Sequence, residues 1–127
     1  MTHTELCNAI LATYSKGDVR LWLNPVGFAY SKDGRPIGRM GKKGQADCSG
    51  ILNLGGMGVR LEIEAKVGKD KQREAQQIFE NVVSKFGGIY ILARGLEDVE
   101  SAIQKFVGRF GHIYEAKTGK ISPLRIT

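Results

Sequence analysis

The segment Val59-Arg60-Leu61-Glu62-Ile63-Glu64-Ala65-Lys66 alternates between apolar and charged side chains. Successive side chains of a β-strand point to opposite faces, so this alternation predicts a strand with one core face and one charged face. The charged face then carries Glu62, Glu64 and Lys66. A ladder of this kind is typical of a solvated sheet surface. The neighbouring sequence determines whether the charged face of this strand forms a catalytic site.

A second alternating run, residues 47–54, precedes this strand and is joined to it by Gly55-Gly56-Met57-Gly58. Two short strands linked by a glycine-rich turn predict a β-hairpin. A four-residue turn would pair the strands as follows: Leu54 with Val59, Ser49 with Glu64, and Asp47 with Lys66. This register makes Asp47 a diagonal neighbour of Glu64 on the charged face.

The composition is that of a basic globular chain. Its 127 residues are 42% hydrophobic and 25% charged, as expected for one folded domain. The formal charge of +6 favours a polyanionic partner, because a basic surface attracts phosphates. No apolar run approaches the ~18 residues of a membrane span, and the first residues do not resemble a signal peptide. We expect one cytoplasmic domain over residues 1–127, with its core in about 5–110, a basic C-terminal tail and no membrane partner.

Flanking patterns predict further elements. These are a helix capped by Thr4 and running through Tyr14, a strand at Val19–Leu23, a hairpin around Asp33-Gly34, a helix over 70–86, a buried strand at Ile89–Ala93 and a helix over 96–110. The helix over 70–86 is expected to present an apolar stripe to the core, formed by Ile78, Phe79, Val82, Val83 and Phe86.

Five isolated side chains are expected to be structural or to lie at the surface. Cys7 and Cys48 form neither a disulfide framework nor a metal knuckle, and we expect both to be reduced. His3 is expected at the surface, as is His112, because no second His or Cys stands at the spacing of a zinc site. Trp22 is expected in the core rather than as a platform for stacking bases.

Asp47, Glu64 and Lys66 would place two carboxylates and one ammonium around a common point. Two close carboxylates repel each other unless a cation lies between them. Mg²⁺, or Mn²⁺ in its place, suits that position because it prefers oxygen ligands and shares its shell with water and phosphate. Such an ion polarises a phosphodiester and activates water, while Lys66 orients or deprotonates that water. The pattern predicts phosphodiester hydrolysis.

An ordered set of motifs resembles the virus-type replication-repair nuclease (VRR-NUC) domain of the PD-(D/E)xK superfamily, in its stand-alone phage-type form. The motifs are Gly44-x-x-Asp47, Glu64-x-Lys66, Gln76 on the next helix, Gly87-Gly88 before a strand, and Leu21–Gly27 as the segment that leads into the core. The likeness covers roughly residues 5–93. It implies an α/β fold, in which a mixed β-sheet is flanked by α-helices.

The resemblance also implies a site. The implied metal ligands are Asp47, Glu64, the backbone carbonyl of Ala65 and Glu5, the glutamate of the first helix. Lys66 and Gln76 complete the implied catalytic set alongside Asp47 and Glu64.

Two of these positions have rivals. The segment before the helix is shorter than is usual in the family, which leaves Gln72 and Gln77 as alternatives to Gln76. Glu62 shares the charged face, so a different register would make it a ligand in place of Glu64.

Basic residues near this site are candidate contacts to DNA phosphates. They are Arg39, Lys42 and Lys43 in the glycine-rich loop, Lys69, Lys71 and Arg73 around the start of the helix predicted over 70–86, and Arg94 after the buried strand. Stand-alone members of the family resemble Holliday-junction resolvases that act as homodimers. The expected function is therefore a metal-dependent endonuclease acting on branched DNA such as a four-way junction, without a nucleotide cofactor.

Two other interpretations stay open. Gly41-Lys42-Lys43-Gly44 matches the GxxG loop of a KH domain, which would make the chain a non-catalytic RNA-binding module. In a KH domain, the GxxG loop joins two helices. The third interpretation is a basic interaction protein without chemistry.

Overall fold

The computed structural model describes residues 1–25, 28–39 and 43–118. The elements in these ranges are α1 (His3–Tyr14), β1 (Val19–Leu23), β2 (Phe28–Tyr30), β3 (Pro36–Arg39), β4 (Cys48–Leu54), β5 (Met57–Ala65), α2 (Glu74–Lys85), β6 (Ile89–Ala93) and α3 (Leu96–Thr118). The expected C-terminal tail beyond residue 118 lies outside the described residues.

Four strands form one mixed sheet in the order β1-β4-β5-β6, and β2 pairs with β3 in a separate ribbon. The β1–β4 and β4–β5 pairs are antiparallel. β5 and β6 are parallel, since α2 returns the chain between them. The core around α1 and α3 covers one sheet face, while α2 packs on the other. The predicted α/β fold, a mixed sheet flanked by helices, is confirmed.

β5 is the central strand that positions the charged residues. Its apolar side chains Leu61, Ile63 and Ala65 are buried in the main core, as the alternation predicts. On the opposite face Arg60 is exposed, whereas Glu62 and Glu64 are fully buried. Burying a carboxylate is costly unless it is paired or binds a cation, so this face requires a chemical explanation.

The β4–β5 hairpin forms with a shorter turn than predicted. Only Gly55 and Gly56 lie in the turn, and their φ angles of 63° and 90° belong to the left-handed region that favours glycine. β5 therefore begins at Met57, which pairs with Leu54. Two-residue turns with positive φ suit the twist of paired strands. This preference favours the two-residue turn over the four-residue turn that the glycine-rich run also permits.

The shorter turn moves the register by two residues. Ser49 pairs with Glu62, so the predicted pairing of Ser49 with Glu64 is wrong. Continuing this register beyond the last pair places Asp47 level with Glu64 rather than with Lys66. A shift of two residues keeps every side chain on its predicted face.

Three helix ends differ from the predictions. The Thr2 hydroxyl, not that of Thr4, caps α1 by accepting a hydrogen bond of 3.1 Å from the Glu5 amide. α2 begins at Glu74, later than predicted. α3 continues to Thr118 and so extends past the predicted core limit near residue 110. None of the helices in the described ranges has the length and apolar character to cross a membrane.

α2 buries a narrower stripe than predicted. Phe79 and Val83, one turn apart, are buried against the sheet. Ile78, Val82 and Phe86 are exposed, because α2 rests on the sheet through one edge only.

Candidate metal centre

Asp47 is held in place by the segment that leads into the core. Asn24 donates from its side chain to the Ala46 carbonyl at 2.9 Å and to the Ser49 hydroxyl at 2.7 Å. The Asn24 amide donates to the Asp47 carbonyl at 2.9 Å. On β5, the Ala65 amide donates to Asp47 Oδ2 at 2.8 Å. The carboxylate is therefore fixed beside the end of β5.

Glu64 is a buried carboxylate with one unused oxygen. The Tyr90 hydroxyl donates to its Oε2 at 3.0 Å. Its Oε1 has no hydrogen-bond partner in the part of the chain that the structure describes, although Lys66 Nζ lies 3.8 Å away. Burial raises the pKa of Glu64, outweighing the lowering by Lys66 and by the Tyr90 hydrogen bond. An unpartnered buried oxygen costs about 1–3 kcal/mol, so Oε1 of Glu64 requires an explanation such as a bound ion or water.

The N-terminus of α2 positions Lys66. Lys66 Nζ donates to Gln76 Oε1 at 3.1 Å, and the same oxygen accepts the Arg73 amide at 2.8 Å. That second bond caps the helix, so the cap and the lysine contact depend on each other. Gln77 is exposed. Among the three candidate glutamines, Gln76 is thus the one that contacts Lys66.

Tyr90 and Glu80 extend the site, and neither was identified from the sequence. Gln72 donates to the Tyr90 hydroxyl at 3.4 Å and to Glu80 Oε1 at 3.1 Å. Burial raises the pKa of Tyr90, so the phenol stays protonated and can donate to Glu64. The sequence did contain a signal for Tyr90, because it is the second residue of the buried strand β6 and must face the side opposite to Ile89 and Ile91.

Glu62 differs from Glu64 although both are fully buried. Its Oε2 accepts a hydrogen bond from the Ser49 hydroxyl at 2.6 Å, and its Oε1 lies 2.7 Å from Arg60 NH2. Both oxygens are therefore used within the protein. Of the two rival carboxylates, Glu64 is the one with an open oxygen beside Lys66.

The structure does not bring Glu5 to the carboxylates. Glu5 is exposed, and His3 from the same helix lies beside Asp47, with Nε2 3.1 Å from Oδ2. Residues two apart on a helix point roughly 200° apart, so His3 and Glu5 cannot share a face. Within the described ranges, the His, Cys, Asp and Glu donors that come together in a group are those of His3, Cys7 and Asp47.

His3 is exposed, as expected, but the expectation that no second His or Cys stands at the spacing of a metal site overlooked Cys7. His3 and Cys7 are one helical turn apart, which places both on the side of α1 that faces Asp47. This i, i+4 spacing was the signal in the sequence, but it became meaningful only once Asp47 was brought to it by the fold.

The two cysteines are free, as expected, and both are buried. Burial raises the pKa of Cys48 to about 12. Burial, and then the charge of Asp47, raises the pKa of Cys7 as well. Both thiols are therefore protonated at neutral pH, and neither is an activated nucleophile.

The candidate phosphate contacts fall into three groups. Lys43, Lys69, Lys71 and Arg73 are exposed. Arg94 is exposed too, but its guanidinium donates to the Asp70 carbonyl at 2.8 Å and to the Gly68 carbonyl at 3.3 Å, so it anchors the loop that carries Lys69 and Lys71. Lys42 and the side chain of Arg39 lie outside what the structure describes.

Trp22 is not in the core, because 47% of its surface is exposed. β1 is an edge strand, and α2 packs over β6 at the opposite edge of the sheet. Trp22 therefore lines an open groove of about 490 Å³, together with Ser49, Ile51 and Arg60. Ser49 and Arg60 both bind Glu62, so the groove borders the face that carries the carboxylates.

Glu64→Gln is expected to stabilise the metal-free protein by about 1 kcal/mol at neutral pH, since it removes a buried charge without changing shape. The raised pKa of Glu64 determines the sign of the pH dependence of this stability difference. The carboxylate costs nothing extra below its ordinary pKa of 4.5, where folded and unfolded chains are both protonated, and its penalty grows as pH rises through the folded pKa. Thermal unfolding at a series of pH values measures the difference, which should vanish in acid.

Glu62→Gln is the matched control for this change. It removes a charge whose oxygens bind Ser49 and Arg60, so it should destabilise the protein at neutral pH. Equal shifts for the two variants would contradict the distinction between the carboxylates.

Glu64 thus offers one unused buried oxygen next to the ammonium of Lys66, and Asp47 lies near enough for its charge to raise the pKa of Glu64. Carboxylate oxygens suit a hard divalent cation. The glycine-rich loop lies between strands β3 and β4, not between the two helices that a KH loop requires. The chain matches no protein-family model, and a search of curated proteins finds no match to it.

Proposed function

We propose that the protein is a metal-dependent endonuclease that hydrolyses phosphodiester bonds in branched DNA, specifically a Holliday-junction resolvase of the VRR-NUC type. The observation that carries the proposal is Glu64 Oε1, a buried carboxylate oxygen without a hydrogen-bond partner in the described residues, 3.8 Å from Lys66 Nζ. A carboxylate kept only for structure would have both oxygens used, as Glu62 has. Asp47 beside it supplies the second acidic group.

Asp47, Glu64 and the carbonyl of Ala65 would hold Mg²⁺ or Mn²⁺. The open oxygen of Glu64 fits a hard cation, and such an ion would also relieve the burial penalty of that carboxylate. When bound, the ion supplies Lewis-acid polarisation of the phosphate and a water of lowered pKa. The resemblance adds Glu5 to this set, but its exposed position gives that ligand no support.

The protein residues have separable roles in this proposal. Tyr90 donates to Oε2 of Glu64 and so leaves Oε1 directed away from the phenol. Gln76 holds Nζ of Lys66 at 3.1 Å, which keeps a positive charge next to the carboxylates. A fixed ammonium stabilises the negative charge that develops on the phosphate and needs no reorganisation during the reaction. Lys66 is thus proposed as a catalytic residue and Gln76 as a positioning residue.

DNA is proposed to approach the sheet face that carries Trp22 and Arg60, and the exposed Lys43, Lys69 and Lys71 are further candidate contacts to its phosphates. Branched DNA offers unpaired or unstacked bases at its crossing point, which an exposed indole can stack upon.

Trp22→Ala should therefore weaken binding of a four-way junction by about 5- to 150-fold, since stacking on one base is worth about 1–3 kcal/mol. Fluorescence anisotropy in Ca²⁺ measures this affinity without cleavage. The matched control is Tyr30→Ala, which removes another exposed aromatic from the separate β2–β3 ribbon. Equal losses for the two variants would contradict a specific role of the groove.

Resolution of a junction requires two symmetric cuts, so the proposal includes a homodimer. The exposed stripe of Ile78, Val82 and Phe86 on α2 is the surface proposed for the contact. Sedimentation at micromolar concentration should give twice the chain mass of 13.9 kDa, and Val82→Glu should reduce it to one chain. A wild-type protein that sediments as a monomer both with and without junction DNA would overturn the dimer.

The function is tested with a panel of substrates. Wild-type protein is incubated with a labelled four-way junction, a linear duplex of the same sequence and a single-stranded RNA, each with Mg²⁺, Mn²⁺ or EDTA. We expect nicks near the branch point of the junction, with either metal and not with EDTA, and slower cutting of the duplex. Binding of RNA in preference to all DNA, without cleavage, would favour the RNA-binding alternative instead.

A further inference from the structure

The N-terminal half of α1 and the residue before β4 bring three different ligand types together. His3 Nε2 lies 3.1 Å from Asp47 Oδ2, and Cys7 Sγ lies 4.0 Å from the imidazole nitrogens of His3. Donor atoms of all three residues lie within 4.8 Å of one another. Ligands bound at the usual zinc distances on a tetrahedral ion are roughly 3.3–3.7 Å apart, so small side-chain rotations would bring these donors around one ion.

The donor set determines the class of ion. A thiol and an imidazole suit Zn²⁺ and similar borderline ions, whereas Mg²⁺ takes oxygen ligands. Three protein ligands would leave one position of a tetrahedral ion for water. His3 is half exposed, with a side-chain exposure of 46%, so an ion can enter from solvent. Cys7, in contrast, is buried, and it would place its sulfur on the inner side of the ion.

We propose that His3, Cys7 and Asp47 form a binding site for Zn²⁺ or a similar ion, and that its occupation withdraws Asp47 from the magnesium site. Cys7 loses its thiol proton to solvent as Sγ binds the ion. Asp47 is the common residue, because its carboxylate faces His3 while it also accepts the Ala65 amide on β5. Zn²⁺ therefore inhibits the enzyme by competition for one carboxylate. The inhibitory part of this inference rests on the proposed nuclease function, whereas the binding part does not.

Binding is tested with Co²⁺, an ion that replaces Zn²⁺ and gives a visible spectrum. The full-length chain, without a histidine tag and in a non-thiol reductant, is titrated with Co²⁺ alone. We expect one equivalent per chain, tetrahedral absorption bands and a thiolate-to-cobalt charge-transfer band. Subsequent addition of Zn²⁺ should abolish these bands. The absence of the charge-transfer band at saturating Co²⁺ would overturn the inference.

Matched variants assign the ligands. Cys7→Ser should abolish the charge-transfer band, and His3→Gln should weaken Co²⁺ binding at least about tenfold, since each removes one of three ligands. Cys48→Ser removes the other buried thiol and should retain the band. A band that persists in Cys7→Ser, or is lost in Cys48→Ser alone, would contradict the assignment. His3 is exposed, so its replacement tests the site even where replacement of the buried cysteine disturbs the fold.

Competition is tested by titrating Zn²⁺ into junction cleavage at several fixed concentrations of Mg²⁺, with each rate divided by that of the same protein without zinc. Half-inhibition should need more Zn²⁺ as Mg²⁺ rises, and Cys7→Ser should need at least about tenfold more Zn²⁺ than wild type. Cobalt binding without such inhibition would overturn the competition and leave the nuclease proposal intact. A protein that never cleaves DNA but gives the charge-transfer band would retain the metal site and refute only the nuclease.

Discussion

Lys66→Met is expected to slow metal-dependent cleavage of a four-way junction by about 10²–10³-fold, the range found when one preorganised electrostatic group is removed from an active site. Methionine keeps most of the length and volume of the buried lysine but removes its charge. Lys66 Nζ, held by Gln76 and 3.8 Å from Glu64, would no longer oppose the charge that develops on the phosphate. Single-turnover rates at saturating enzyme measure the effect on the chemical step.

Junction affinity should change little in this variant, because Lys66 is buried and offers little surface to DNA. The control is Lys85→Met, which removes an exposed lysine at the far end of α2 and should leave the rate nearly unchanged. If Lys66→Met and Lys85→Met cleaved equally fast, Lys66 would have no catalytic role.

Gly44→Ala is expected to destabilise the protein by roughly 3 kcal/mol or more, through both backbone strain and steric overlap. Gly44 has a φ of 78°, and a Cβ at this position would lie 2.2 Å from the Ala75 carbonyl oxygen. That carbonyl belongs to the first turn of α2, so relieving the overlap displaces the helix that positions Gln76. Chemical denaturation should therefore report lower stability, and junction cleavage should slow as well.

Gly56→Ala separates the two causes. Gly56 also has a positive φ, 90°, but a Cβ there would meet nothing within 4 Å. This variant should lose only about 1 kcal/mol, from strain alone. Equal losses for Gly44→Ala and Gly56→Ala would show that the close approach of Gly44 to α2 is unimportant.

The sequence was most informative where a structure depends on local pattern. The alternation in residues 59–66 predicted β5 and its two faces correctly, because strand periodicity is a property of the backbone. The register was wrong by two residues because the choice between a two-residue and a four-residue turn depends on φ angles that a glycine-rich run permits in several places.

Contacts between distant segments were less predictable. Glu62 and Glu64 on the charged face of β5 are buried, and no pattern within β5 predicts that burial. Trp22 was predicted to lie in the core, but it is exposed because β1 is at the edge of the sheet. His3 and Glu5 both stand early in α1, and the rotation of that helix against the sheet decides which of them reaches Asp47.

The proposed nuclease function depends most directly on whether Asp47 and Glu64 support metal-dependent hydrolysis. Cleavage of one labelled four-way junction in Mg²⁺ by wild type, Asp47→Asn and Glu64→Gln measures this. We predict nicked product with wild type, none in EDTA, and rates at least about 10²-fold lower for both variants at unchanged junction affinity. Wild-type protein that binds the junction but cuts it with neither Mg²⁺ nor Mn²⁺, or variants that cut as fast as wild type, would contradict the account.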